Sequence, residues 1–310
     1  MHSSGKKLLP NDRRPTEQRN PVSTNLDRMP VAKILRLMNH EDSKVAASVA
    51  REIPALAKAV EAIVQRIGSG GRLIYVGAGT SGRLATLDAA ECPPTFGVPL
   101  TLVNALIAGG KKALTRAVEG AEDSASNAVR DLKKAKLSRK DAVVGVAASG
   151  STPYVMAAVA FAKKRKALTI GVASNRDCPL RSAVDIAITP EVGPEILTGS
   201  TRLKAGTSEK LVLNMLSTAV MVRLGHVYDN LMIDMALTNQ KLRERSTRIL
   251  VEASGQNSRF VEHALRQSGH DLRVALVMLK KGVSSAVAKK KLKESKGNLR
   301  AALGEQGKNG

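Results

Sequence analysis

The chain has 310 residues, 43% of them apolar, with no tryptophan, two cysteines and a formal charge of +22. That length can bury a sizeable core of Ala, Val, Leu, Ile and Met, while Cys92 and Cys178 are too few for a disulfide framework and fit a reducing cytoplasm. No apolar run approaches the ~18 residues of a membrane span, and the basic stretch Met1 to Arg14 has no apolar core behind it, so neither a span nor a signal peptide is expected.

The positive charge raises the question of nucleic acid. It is concentrated, however: between Lys280 and Arg300 eight basic residues stand against one acid, Glu294. No aromatic side chains are interleaved there for base stacking. The expectation is a solvated basic face with nonspecific polyanion affinity at low salt, and no specific nucleic-acid partner.

Residues 1–30 are polar and carry Pro10, Pro15, Pro21 and Pro30. They read as an arm without its own core, either packed on a neighbouring subunit or disordered. Val31 to Met38 is a short helical pattern. From Glu41 a longer helix is predicted, with Val45, Val49, Ile53, Leu56, Val60, Ile63 and Ile67 on one face and a kink at Pro54.

Leu73 to Val76 reads as a buried strand, followed by Gly77, Gly79 and Gly82 with Thr80 and Ser81 between them. A helix follows, closing at Glu91 and stopped by Cys92-Pro93-Pro94. Strand, glycine turn and helix start together make an anion cradle, because free N–H groups and the helix dipole point outward. The spacing also matches the dinucleotide fingerprint. That fingerprint needs an acid about 20 residues further on, and none lies between Glu91 and Glu119. Hydroxyls in the turn suit a terminal phosphate. The competing reading is a tight turn that binds nothing.

Beyond it, Leu100 to Val103 is predicted as a strand, Ile107 to Gly110 as a turn, and Ala113 to Leu137 as a helix carrying Glu119 and Glu122. Ala142 to Val146 is an apolar strand. It leads into a second hydroxyl-rich turn with Ser149, Ser151 and Thr152, where Pro153 suits the first turn of the next helix. Leu168 to Ala173 and Asp185 to Ile188 are further strands. A third loop, Val192 to Ser208, holds Glu195, Ser200 and Lys204, and a long helix starts near Arg202. From Asn257 three short helices are expected: Val261 to Gln267, Asp271 to Lys280 and Ser284 to Leu303.

Strands alternating with helices predict an α/β fold, a three-layer αβα sandwich around a parallel sheet, with ligands at the carboxyl ends of the strands. The expected organisation is an arm over 1–30, a phosphosugar-binding domain over 31–255 and a small helical domain over 256–310. The histidines have no metal-ligand spacing, and no cofactor motif is present. A phosphate cradle with Glu91 and Glu122 beside it could carry acid–base chemistry on a phosphosugar. Either carboxylate taken alone also reads as a surface charge.

The motifs from Ile74 to Arg83, Leu87 to Gly97, Val118 to Asp123 and Gly193 to Lys204, with Thr16 to Pro21 and Asn230 to Met235, resemble the N-acetylmuramic acid 6-phosphate etherases. The resemblance covers nearly the whole chain beyond its basic N-terminal dozen residues. It implies a sugar isomerase (SIS) domain with a five-stranded parallel sheet, a helical C-terminal domain and a homodimer. It implies a lyase acting in the cytoplasm on a phosphosugar of the recycled bacterial cell wall, without cofactor. By resemblance, Glu91 protonates the departing lactate oxygen and Glu122 transfers the proton at C2. Gly79, Thr80, Ser81, Ser149, Ser151, Thr152, Glu195, Ser200 and Lys204 would contact substrate. The family pattern has Arg where this chain has Ser151. A related alternative is a non-catalytic phosphosugar sensor like the glucokinase regulatory protein, which carries two such domains in tandem.

Overall fold

The computed structural model describes residues 14–235, 240–295 and 297–305; the first 13 residues of the expected arm lie outside that range. The five strands are β1 (Leu73–Gly77), β2 (Val103–Ile107), β3 (Ala142–Val146), β4 (Leu168–Val172) and β5 (Ile186–Ile188). All are parallel, in the order β2-β1-β3-β4-β5. The chain moves outward from β1 to β2, then returns to the other side of β1 for β3. That reversal opens a crevice at the carboxyl ends of β1 and β3.

Side chains alternate across the sheet. Leu73, Tyr75, Val144 and Val146 face one layer, built by α3 (Ile53–Gly68), α4 (Gly79–Phe96) and α8 (Lys204–Arg223). Ile74, Val76 and Val143 face the other, built by α5 (Ala125–Lys134), α6 (Pro153–Lys164) and α7 (Pro179–Ala183). Both faces are covered, so the central strands β1 and β3 are buried at every position and lack a polar alternation. At the amino end of the sheet the Arg72 guanidinium pairs with Asp141 at 2.8 Å, joining the starts of β1 and β3.

Ahead of the sheet come α1 (Val31–Asp42) and α2 (Val45–Ala50). The single kinked helix predicted from Glu41 is instead three helices, with Pro54 in the first turn of α3. There its missing N–H is an orphan in any case. The expected stop at Pro93-Pro94 also fails: α4 runs through both prolines to Phe96, and Gly97 caps it at φ 63°. Proline's fixed φ is already helical, and buried Phe96 docks the last turn on the core. The space beyond is tight, since a Cβ on Gly97 would lie 2.1 Å from the Asp234 carbonyl oxygen.

The second strand falls at Val103–Ile107, three residues later than Leu100 to Val103 suggested. Leu100 is 79% exposed; β2 is an edge strand, and its half-buried middle weakened the apolar signal. Ala113 to Leu137 is not one helix. Only Ala125–Lys134 is, and the stretch before it is a loop with two 3-10 turns. Gly120 at φ 68° turns that loop.

The C-terminal helices α9 (Gln240–Ser254), α10 (Ser258–Ser268), α11 (Leu272–Lys281), α12 (Ser285–Glu294) and α13 (Leu299–Ala302) share one apolar cluster. That cluster also takes Tyr228, Ile233 and Met235. The predicted helix Ser284 to Leu303 is broken in two, with Gly297 at φ 81° and Asn298 capping α13. Among the described residues no helix is long and apolar enough to cross a membrane.

Candidate active site

β1 and β3 pair directly, Gly77 opposite Val146, so the two turns that follow them are neighbours. In the first turn the glycines have separate duties. A Cβ on Gly77 would meet the Gly82 nitrogen at 2.7 Å, and one on Gly82 would meet the Ile107 side chain at 2.6 Å. These two let α4 close against β1 and β2. Gly79 is needed for its φ of 53°, not for space, because nothing lies within 4 Å. This conformation starts α4 without a side-chain cap, beside half-buried Thr80.

Ser81 behaves differently. Its hydroxyl turns inward and donates to Oε1 of Glu209 at 2.8 Å. Glu209 is buried on α8, and its Oε2 has no hydrogen-bond partner. Burial pushes this carboxyl up to about 8, against the smaller pull of the Ser81 hydrogen bond, so it is protonated at neutral pH.

In the second turn Gly150 has φ 68°, and a Cβ there would strike Cys178 Sγ at 2.4 Å. The turn brings Ser151 Oγ to Ser149 Oγ at 3.2 Å. No side chain caps the first turn of α6, whose N-cap is Thr152. Asn175, just past β4, holds the turn from behind by donating to the carbonyls of Ala148 and Ser149 at 3.1 and 3.2 Å.

From residue 14 onward the arm is ordered and packs against the turns of its own chain. Thr16 is fully buried, and its N–H and hydroxyl both bond the Asn175 amide. Arg14 Nη1 donates to Ser151 Oγ at 3.2 Å. Asn20 donates to the Pro194 carbonyl at 3.0 Å and to Glu41 at 3.1 Å.

The third loop joins the other two through α8. A Cβ on Gly206 would contact the Thr80 methyl at 3.4 Å. Glu195 is fully buried and accepts from the Lys204 and Ala205 amides at 3.0 and 2.9 Å, capping α8. Burial raises its pKa, opposed by those amides. Lys204 is 2% exposed and pairs with Glu41 at 2.6 Å. Burial opposes ionisation of Glu41, but Lys204, Lys44 and Asn20 outweigh it and hold its pKa at about 2. The charges of Glu195 and Lys204 are therefore engaged in placing α8. Ser200 is half-buried in the same loop.

Glu122 is exposed in the loop before α5 and lines a cleft of about 230 Å³ with Gly79, Ala78, Arg83 and Glu119. The Arg83 guanidinium is held there by the carbonyls of Leu114 and Arg116. Glu91 is not in this cleft. It sits twelve residues along α4 from Gly79, on the order of 18 Å at 1.5 Å per residue. The structure thus gathers Gly79, Thr80, Ser149, Ser151, Thr152 and Glu122 at one end of the sheet and leaves Glu91 toward the other end of its helix.

Sequence reasoning missed Glu209, Asn175 and Arg14. An acid at position 209 inside an apolar helix stripe, and Ser174-Asn175 at the carboxyl end of a parallel strand, were the available signals.

Among curated proteins the chain is 51% identical over 288 residues to N-acetylmuramic acid 6-phosphate etherase of Yersinia pestis (strain Pestoides F). The same holds for the protein of that name from Yersinia pseudotuberculosis serotype O:1b (strain IP 31758). Each comparison covers 93% of this chain and 98% of the relative. Residues 55–179 match the glucokinase regulatory protein N-terminal SIS domain. A putative phosphosugar isomerase involved in capsule formation from Bacteroides fragilis NCTC 9343 shares the fold, with TM-score 0.50 and 21% identity over 65% of this chain and 95% of that one.

Proposed function

The chain belongs to the N-acetylmuramic acid 6-phosphate etherases, and on that premise we propose that it cleaves the D-lactyl ether of N-acetylmuramic acid 6-phosphate. Water enters, and N-acetylglucosamine 6-phosphate and D-lactate leave. The observation that carries this reading is Glu122 in one cleft with the first turn, beside the second turn on the adjacent strand. The match to the regulatory protein ends at residue 179, before Glu195 and Lys204, whereas the etherases match along 93% of the chain.

An ether oxygen is a poor leaving group from an unactivated carbon. Opening the sugar ring exposes an aldehyde, which acidifies the hydrogen on C2. In the proposed sequence Glu122 takes that proton, and the C3–O bond breaks as Glu91 protonates the departing lactate oxygen. Water then adds at C3 and a proton returns to C2. Each positioned carboxyl group contributes on the order of 10²–10⁴-fold. The hydroxyls and amides of the two turns hold the phosphate and hydroxyls of the sugar. Glu195 and Lys204 act by positioning α8. We place the reaction in the cytoplasmic recycling of peptidoglycan sugars.

Glu91 is too far along α4 to share a substrate with Glu122 of its own chain, so the site is completed by the Glu91 of a second copy. A homodimer also accounts for the groove between α3 and α8, about 750 Å³ in volume and lined by Ile53, Leu56, Val60, Leu211, Met215 and Val222. Ile53, Met215 and Val222 are exposed there. Asn214 at the groove donates to Asp88, one turn before Glu91 on α4. The test is D-lactate release from N-acetylmuramic acid 6-phosphate by the parent chain, Glu91→Ala and Glu122→Ala. Release by the parent and large losses in both variants support the reading. A folded parent that binds the phosphosugar and releases nothing overturns it in favour of a sensor.

A further inference from the structure

We propose that Arg14, on the N-terminal arm, is a phosphate-anchoring residue of this site, reaching the second turn from a distant part of the sequence. The proposal rests on the phosphosugar reading above and adds to it a residue that neither the turn motifs nor the paired carboxylates pointed to.

Three observations converge on it. The guanidinium is already at the turn, with Nη1 3.2 Å from Ser151 Oγ. Ser151 in turn is bonded to Ser149, so the cation stands against the pair of hydroxyls that open α6. The arm that delivers it is fixed: buried Thr16, two residues on, makes two hydrogen bonds to Asn175, the same side chain that holds the turn from behind. Finally, the first turn of α6 has no side-chain cap, so its amides point where an anion would sit.

Two other cations already described make their own contacts. Lys204 is buried in its pair with Glu41. Arg83 stands at the first turn, held by the Leu114 and Arg116 carbonyls. A phosphate monoester carries about −1.5 to −2 charge at neutral pH, and a planar guanidinium matches its oxygens in a fork. Arg14 brings that complement to the second turn, and in doing so it makes arm placement part of substrate recognition.

The experiment measures binding of N-acetylglucosamine 6-phosphate, which has the phosphate and lacks the lactyl carboxylate, by calorimetry on the full chain. Unphosphorylated N-acetylglucosamine and inorganic phosphate are run beside it. Arg14→Ala is expected to weaken the 6-phosphate ligand and inorganic phosphate by roughly tenfold, the loss of one charge-assisted anchor. Arg14→Lys is expected to fall between, because an ammonium keeps the charge and loses the fork. Ser151→Arg in the Arg14→Ala background returns the guanidinium to the same place and is expected to restore most of the affinity. Protease sensitivity of residues 14–20 in each variant separates loss of charge from loss of the arm.

Unchanged 6-phosphate affinity in Arg14→Ala overturns the proposal. So does a loss that Ser151→Arg fails to recover, or one that follows release of the arm. A parent that binds no 6-phosphate overturns it as well. A parent that binds the 6-phosphate through Arg14 and releases no lactate leaves this anchor standing and removes only the etherase reading.

Discussion

Ser81 donates its hydroxyl to Oε1 of Glu209 at 2.8 Å, which ties the first glycine turn to a buried, protonated carboxyl on α8. The pair turns one of the turn's two hydroxyls inward, onto α8. It also makes the placement of α4 against α8 depend on a proton.

That dependence gives a pH prediction. Glu209 has its pKa raised from 4.5 to about 8 by burial. A carboxyl raised in the folded state contributes stability that is complete below the unfolded pKa, and loses it as pH rises through the folded one. The loss therefore runs from about pH 4.5 to pH 8, and is worth at most a few kcal/mol. Glu209→Gln keeps the Ser81 partner and cannot titrate. Melting temperatures at pH 5, 7 and 9 are expected to fall less in this variant than in the parent. Parallel curves would remove Glu209 as the cause.

The glycines of the two turns predict different penalties. Gly150→Ala forces both a left-handed backbone and a clash with Cys178 Sγ, and is expected to cost about 2–4 kcal/mol with loss of phosphosugar binding. Gly79→Ala meets open space and is expected to cost only about 1–2 kcal/mol. Chemical denaturation of both variants checks the order, and equal losses would contradict the separate duties assigned to the two residues.

Lys204 and Glu41 form an ion pair with both side chains under 7% exposed. Lys204→Met leaves buried Glu41 with Lys44 and Asn20 and removes its buried cation, and is expected to cost about 3–5 kcal/mol. Adding Glu41→Gln preserves an acceptor for Asn20 and is expected to recover most of that loss. KM for the phosphosugar should change little in the double variant, because Lys204 positions α8. A large rise in KM with stability restored would instead place Lys204 on the substrate.

The parallel sheet was legible because β1, β3 and β4 are buried on both faces and read as apolar runs between turns. Pro153 and the hydroxyl turns marked the carboxyl ends of the strands for the same reason. Local rules misled where tertiary packing was stronger. Pro93 and Pro94 read as a stop, yet buried Phe96 carries α4 past them. Gly120 turned a predicted helix into the loop that delivers Glu122. Contacts across the chain were invisible to a local reading. Nothing near Ser151 in sequence announces Arg14, 137 residues away, and nothing near Ser81 announces Glu209, 128 away. The distance of Glu91 from Glu122 needed the length of α4.

The most direct measurement is D-lactate release from N-acetylmuramic acid 6-phosphate by a co-expressed equimolar mixture of Glu91→Ala and Glu122→Ala. Each variant alone should be inactive. If every site takes Glu122 from one copy and Glu91 from the other, half the dimers are mixed, each with one intact site, and about a quarter of the parent activity returns. No lactate from the parent, or a mixture as inactive as its components, would contradict a shared etherase site.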